Sequence, residues 1–328
     1  MKSYSIILPV RNGGSYVKEC IGSILAQTYT DFELIILDNN SSDGTTAYIE
    51  SIKDNRIVHL RSDKDLSMPE NWKRALTVST KEYITFIGHD DLLYKDYLQT
   101  MHQLIRKYPD ASIYQTHFNY INATGLSIRP CQPMPETMDI KAFLEGEFRQ
   151  TIDSMGTGYM FRATDFIQCG GFDTGYPNLL FADYQLFAEL TTQSFMAVSP
   201  ATCFAYRLHT SLSISTGVDL YRQAFGRYIS FLNRLKEESV LAKQAIKNQG
   251  AGFLYFYCRS LSHRLAKAPL KKRYTTGKFV RACRQYARLL GLAKKFKPYR
   301  DPTILLAALL DSNLLTGNLY RLLRRSSR

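Results

Sequence analysis

Through the first hundred residues, short apolar runs of strand length alternate with segments whose apolar residues recur at helical spacing. The runs are SIILPV (5–10), FELIIL (32–37), RIVHL (56–60) and EYITFI (82–87); the helical segments are residues 16–27, 45–52, 70–78 and 97–107. In the first helical segment Val17, Ile21, Ile24 and Leu25 share one face at roughly the 3.6-residue period. SIILPV and FELIIL are nearly continuously apolar, as strands covered on both faces must be. Strand–helix–strand repetition of this kind predicts a doubly wound α/β fold with a mostly parallel sheet and right-handed crossovers. Gly13–Gly14 is expected to make the first strand-to-helix turn. DNNSSDGT is expected to make the second, with Asp43 or Ser42 capping the helix that follows.

The pattern changes after Tyr108-Pro109-Asp110. ASIYQTHFNYI and LSIRP flank an Asn122–Gly125 turn and predict a hairpin. A proline-bearing connector, GTGYMFR and GGFD follow, so the sheet is expected to become mixed. The expected organisation is one domain over residues 1–216, with a Rossmann-like nucleotide-binding half (1–109) and an acceptor half (110–216). A basic helical region (217–328) follows it. Charge supports the division: residues 217–328 hold 24 Lys and Arg against 5 Asp and Glu, whereas residues 1–216 hold 18 against 24. The six cysteines are scattered without C-x-x-C spacing, which argues against a disulfide framework or structural zinc and suits a reducing cytoplasm. The opening apolar run is short and contains Pro9, so it reads as a first strand and not as a signal peptide or membrane span.

Acidic residues close several of the apolar runs. Asp38 follows FELIIL, where its carboxylate suits either the N–H edge of a base or the cap of a polar turn. Asp90 and Asp91 follow YITFIGH. Adjacent carboxylates repel, and either a hard cation neutralises them or they sit in a solvated turn. Asp183, in FADYQLFAEL, is placed to act as a general base beside aromatics or merely to complement a helix dipole. In AYRLHTSLS, Arg207 and His209 alternate along an extended segment and suit a diphosphate clamp, a metal shell or a solvated surface strand. No G-x-G-x-x-G, G-x-S-x-G or Walker-type loop is present, so dehydrogenases, α/β-hydrolases and P-loop NTPases lack their signatures.

Taken in order, SIILPVRN, SILAQTYTDFELIILDNNSSDGT, NWKRAL…KEYITFIGHDDLL, GTGYMFR…CGGFD, FADYQLFAEL and YRLHTSLS resemble family-two inverting glycosyltransferases of the GT-A fold, over about residues 3–216. The resemblance implies nucleotide binding at Pro9, Arg11 and Asp38, ribose contact at Asp90 and metal ligation at Asp91. It also implies an acceptor-deprotonating base at Asp183, an acceptor-site wall at residues 156–162, and closure over the diphosphate by Arg207 and His209, the latter as a metal ligand. Asn39 and Gly88 stand where many family members carry an acid.

The function so implied is transfer of a sugar from a nucleotide-diphosphate donor to an acceptor hydroxyl, with manganese or magnesium as cofactor. The acceptor would be a glycan or lipid-linked glycan of the bacterial cell surface. The expected location is the cytoplasmic face of the membrane, with residues 217–328 meeting an anionic leaflet peripherally, packing on the catalytic body or joining copies of the chain. TILLAALL is too short to span a bilayer. A nucleotidyltransferase is the rival enzyme, but RNGGSY offers only two glycines and one Arg for a triphosphate. A nucleic-acid-binding protein is the rival outside enzymes; the acidic body and the apolar stretches among the tail's charges argue against it.

Overall fold

The computed structural model describes residues 3–209, 217–267 and 274–312. These cluster in two compact units, one drawn from residues 1–143 and 151–215, the other from 144–150 and 216–328. The expected boundary at residue 216, the TSLS end of the YRLHTSLS motif and residues 268–273 of the basic stretch lie outside the described residues.

The first unit opens with β1 (Tyr4–Val10), α1 (Gly14–Leu25), β2 (Phe32–Asp38), α2 (Thr45–Ser51), β3 (Ile57–Arg61), α3 (Met68–Lys73), β4 (Tyr83–Phe86), β5 (Leu92–Leu93) and α4 (Tyr97–Lys107). There follow β6 (Ile113–Ile121), β7 (Ser127–Pro130), β8 (Thr137–Met138), α5 (Ile140–Arg149, whose residues from 144 on cluster with the second unit), β9 (Met160–Arg162), α6 (Ala163–Gln168), α7 (Ala182–Gln193) and β10 (Met196–Arg207). One sheet holds every strand, in the order β3-β2-β1-β4-β9-β6-β10-β5, with β7 on β6 and β8 on β10. The pairs β1–β2, β1–β4 and β2–β3 are parallel, as the alternating pattern requires. Beyond β4 the sheet is mixed: β9 runs antiparallel to both β4 and β6, and β10 runs parallel to β6. Six strands (β1, β2, β3, β4, β6 and β10) therefore point the same way and deliver their C-terminal ends to one edge, where open α/β sheets bind ligands.

Local chemistry explains the elements. Every residue of β1 is buried, and Val17, Cys20, Ile21 and Ile24 of α1 cover it. Gly13 has no room for a side chain, because a Cβ there would sit 2.6 Å from that of Val17. Ser67 and Glu70 form a reciprocal capping box on α3. The N-cap of α2 is Gly44 in the left-handed region, so neither Asp43 nor Ser42 occupies that position. Asp43 still works one residue earlier, its two oxygens accepting the Thr45 and Gly14 N–H groups at 3.0 and 2.9 Å. The predicted helix over 70–78 begins and ends earlier and closes in a 3-10 turn at Arg74–Leu76. Helices α5 and α6 and the two-residue strands carry patterns too short or too mixed to be legible in sequence.

The second unit contains α8 (Val218–Glu238), α9 (Val240–Lys267), α10 (Thr276–Leu289) and α11 (Pro302–Ser312). Phe225, Tyr228, Leu232, Phe253, Tyr257 and Phe279 form its buried centre, with Phe225 and Phe253 rings 4.8 and 4.9 Å from that of Tyr257. The helical character expected of residues 217–328 is present in these four helices, with residues 290–301 in turns and a 3-10 turn between α10 and α11. Among the described residues no helix is long and apolar enough to cross a membrane.

Candidate active site

The acid pair sits just past β4. Ile87 continues the parallel ladder by donating to Ile7 O, and a tight turn then lets Asp91 N donate to Gly88 O. A Cβ on Gly88 would lie 2.8 Å from Asp90 Oδ1 and 2.9 Å from Asp91 Oδ2. Both carboxylates thus fold back over the same bare Cα, and any side chain at position 88 would push between them. Asp91 is buried, and its Oδ1 accepts the Arg207 backbone N–H at 2.8 Å. Burial, and next the Asp90 charge, push the Asp91 carboxyl well above the ordinary carboxylate range, against hydrogen bonds from the Arg207 backbone and the Thr157 hydroxyl. Such a carboxylate calls for a cation to sit against it.

No group of three or more His, Cys, Asp and Glu with metal-holding geometry occurs among the described residues. The pair nevertheless suits a hard divalent ion. Magnesium-type sites take one or two protein carboxylates and complete their shell with phosphate oxygens and water, and here two carboxylate oxygens converge on one point. His209, expected as a metal ligand, lies against Asp90, with Nε2 2.5 Å from Asp90 Oδ2 and its ring 5.3 Å from that of Tyr16.

Arg207 is placed differently from the expectation that it grips a diphosphate. Its residue is only 3% exposed. Nε donates to Asp90 O at 2.7 Å, Nη1 to Ala123 O at 3.1 Å and to Asn122 O at 3.4 Å, and Nη2 to Glu19 Oε2 at 2.7 Å. The guanidinium also lies 4.6 Å from the Tyr16 ring centroid. Four hydrogen bonds tie α1, the acid turn and the β6–β7 hairpin together and leave little of the side chain for a ligand. Glu19 and Tyr16, which anchor it, had no signal in sequence beyond their helical position.

Asp38 also departs from expectation. Its side chain is sealed from solvent, so the carboxylate does not itself present to a base. Oδ1 accepts Ser41 N–H at 3.0 Å and Oδ2 accepts the Thr46 hydroxyl at 2.6 Å, with His59 Nε2 at 3.4 Å. Burial raises its pKa, but these hydrogen bonds outweigh burial and hold it below the usual value. The carboxylate fixes the β2–α2 turn from beneath. Asn39 stitches the same turn to the next loop, donating to Leu66 O at 2.7 Å and accepting Leu66 N–H at 2.8 Å. An acid there would lose the donated bond and face a carbonyl, which accounts for the amide in this chain. What the turn offers outward is Asn40 and Arg11, both held by Asp65, at 3.0 and 2.5 Å. Pro9 lies buried near the end of β1, opposite Leu37.

Asp183 stands in the first turn of α7. Burial pushes its carboxyl up to about 6, although Oδ1 accepts the Tyr184 N–H at 2.9 Å. The preceding loop is held in uncommon backbone: Asn178, Leu179 and Phe181 all have positive φ, at 50, 54 and 69°, which is strain of the kind that clusters at functional sites. Gly156 lies against Asp183, its ideal Cβ position 3.7 Å from Asp183 Oδ2. The next residue, Thr157, accepts the Gly88 N–H at 3.1 Å and hydrogen-bonds Asp91. Two consecutive residues therefore touch the base candidate and the acid pair, and one site contains both. Tyr206 feels the same union: after burial, the charges of Asp91, Asp90 and Asp183 all push its phenol up. The Gly156–Thr157 link was foreshadowed only by the wall expected at 156–162, and Tyr206 by no signal.

A parallel Rossmann-like half whose strand ends carry an acid pair, continued into a mixed sheet that adds a second carboxylate, is a GT-A fold. Solved structures agree. S. aureus TarS 1-349 in complex with UDP-GlcNAc superposes with a TM-score of 0.62 at 13% identity, over 92% of each chain. Mannosyltransferase PcManGT from Pyrobaculum calidifontis, in complex with GDP-Man and Mn2+, gives 0.53 at 13% identity, over 97% of this chain and 86% of that one. In sequence, glycosyl transferase family 2 matches residues 5–166, and those residues form a domain of that family. Glycosyltransferase GlyG of Streptococcus pneumoniae serotype 4 is 27% identical over 123 residues, 37% of this chain and 41% of GlyG. The chain spans less than half the length of the first curated relatives it matches.

Proposed function

We propose that this protein moves a sugar from a nucleotide-diphosphate donor to an acceptor hydroxyl with inversion at the anomeric carbon. The observation that carries the reading is the Gly156–Thr157 link, which places a base candidate and a cation-seeking acid pair in one site. Asp183 takes the proton of the acceptor hydroxyl as that oxygen attacks the anomeric carbon. A carboxyl titrating at about 6 is ionised at neutral pH yet basic enough to accept a proton, the compromise general-base catalysis favours. Attack from the Asp183 side expels the nucleoside diphosphate on the opposite face, so one displacement inverts the centre. Thr157 and Gly156 hold the two groups at fixed separation, which gains rate through orientation.

Asp91, with Asp90 turned toward the same point and His209 beside it, would hold a divalent cation, magnesium or manganese. When bound, that ion neutralises charge building on the departing diphosphate. Pro9, Arg11 and the turn shaped by Asp38 form the base end of the site, Asp38 by fixing backbone. Arg207 braces the acid turn. The ligands named for TarS and PcManGT support a nucleotide-sugar donor. The acceptor we infer is a glycan or lipid-linked glycan of cell-surface polysaccharide synthesis, with the basic second unit held against an anionic cytoplasmic leaflet.

The test is a thermal-shift screen of nucleoside diphosphates and nucleotide sugars with and without manganese. The matching donor should raise the melting temperature by mass action, with a larger rise in manganese. No rise with any nucleotide sugar in either condition would remove the proposal.

A further inference from the structure

The second unit contains a cavity of about 230 Å³ lined by Arg284, Ala287, Arg288, Ala293, Phe296 and Lys297. Arg284 and Arg288 are one helical turn apart on the exposed side of α10, while Phe279, Val280, Cys283 and Ala287 bury the other side. Gly291, at φ 74°, ends the helix, with its N–H and that of Leu292 satisfying the last carbonyls of α10. That turn folds the chain back, so Lys297 faces the same cavity as the two arginines.

No carboxylate lines the cavity. The five acids of residues 217–328 are all engaged elsewhere. Asp219 faces Arg222, Glu237 faces Lys236, Glu238 faces Arg234 and Asp301 faces Arg259. Asp311 accepts the Thr276 N–H. Three like charges around one cavity repel each other, and among the described residues none of the three is ion-paired with a carboxylate. Exposed apolar groups accompany them: Leu289 at the end of α10 is 44% exposed and Tyr299 41%, with the Arg284 guanidinium 5.7 Å from the Tyr299 ring centroid. Cations mixed with exposed leucine and tyrosine are the composition of surfaces that lie in a membrane interface.

We propose that this cavity receives the phosphate of an anionic lipid headgroup, so that α10 and residues 291–300 are the face that meets the membrane. The inference rests on the membrane reading above and gives it a named site. A free phosphate offers the same chemistry; the exposed Leu289 and Tyr299 favour the lipid.

Vesicle flotation of the full-length protein, with vesicles of phosphatidylglycerol mixed into phosphatidylcholine and of phosphatidylcholine alone, tests it. Three proteins are compared: wild type, R284Q/R288Q/K297Q, and R234Q/K243Q/K247Q, which removes the same charge from exposed positions of the same unit away from α10 and residues 291–300. Each cation at the surface is worth about fivefold in partitioning, so the cavity variant should bind the anionic vesicles about 100-fold more weakly. The control should lose far less, and none should bind phosphatidylcholine alone. Single K297E keeps the test open should the triple variant melt early, since it reverses one charge in the loop and leaves α10 intact. Equal losses in cavity and control variants, or no loss in the cavity variants, would overturn the site while leaving membrane attachment standing. Wild type that fails to float on anionic vesicles would overturn the membrane reading and the site together. Titration with inorganic pyrophosphate is the remaining arm: tight binding to a wild type that does not float, lost in R284Q/R288Q/K297Q, would assign the cavity to a soluble anion instead.

Discussion

Replacing Asp183 by Asn should make the protein inactive and, above neutral pH, more stable. An aspartate ordinarily titrates at 3.8, and burial moves this one to about 6. The folded-state value is therefore raised above the unfolded one. Below pH 3.8 both states carry the proton and the site costs nothing; the cost of charging it in the folded state grows between the two values and is complete above 6. At ~1.4 kcal/mol per pH unit the full penalty is ~3 kcal/mol, and allowance for solvent at the exposed edge of the residue brings it to between ~1 and ~3 kcal/mol. Asparagine keeps an oxygen for the Tyr184 N–H and never acquires the charge. Differential scanning calorimetry at pH 8 should show the variant melting roughly 2–12 °C higher, at ~2–4 °C per kcal/mol for a unit of this size. At pH 4 the two proteins should melt together. Turnover should fall about 10²- to 10⁴-fold, as loss of a general base does. A melting difference that stays constant with pH, or a variant less stable at pH 8, would refute burial as the origin of the perturbed carboxyl.

Other consequences are more quickly stated. Asp91→Asn should remove most turnover and the manganese-dependent part of nucleotide binding; an unaltered manganese response in calorimetric titration would break the metal assignment. In wild type, log kcat should rise with unit slope up to about pH 6 and level above it as Asp183 ionises, and a profile flat from pH 5 to pH 8 would count against the base. Gly88→Ala should cost activity far more than stability, because the methyl group meets only carboxylate tips; circular-dichroism melts beside initial rates separate the two. Arg207→Lys should destabilise by about 2–4 kcal/mol even with the charge kept, since a single ammonium cannot span the Asp90, Ala123 and Glu19 partners, and urea denaturation midpoints would measure it.

The parallel half of the sheet was legible because its determinants are local and repetitive. A strand covered on both faces must be apolar throughout, and β1 and β2 are. The acid stations stood out in sequence for the same reason, since each carboxylate interrupts or follows an apolar run. What the sequence could not disclose is direction. Asp38 and Asp90 look alike as acids after strands, yet Asp38 turns under its loop to three partners, whereas Asp90 and Asp91 turn back together over Gly88. Arg207 reads as an anion clamp until its four acceptors, on three separate stretches of chain, are seen. Thr157 was legible only as part of the wall expected at 156–162, because its importance lies in bridging residues about seventy positions earlier in the chain. These misses share a cause. A polar side chain near a strand end can serve a ligand or hold the frame that receives one, and the choice is made by long-range partners. That division of labour has a chemical logic: the frame residues satisfy their hydrogen bonds within the fold, and Asp91 and Asp183 are left with carboxyls that burial pushes above their ordinary range.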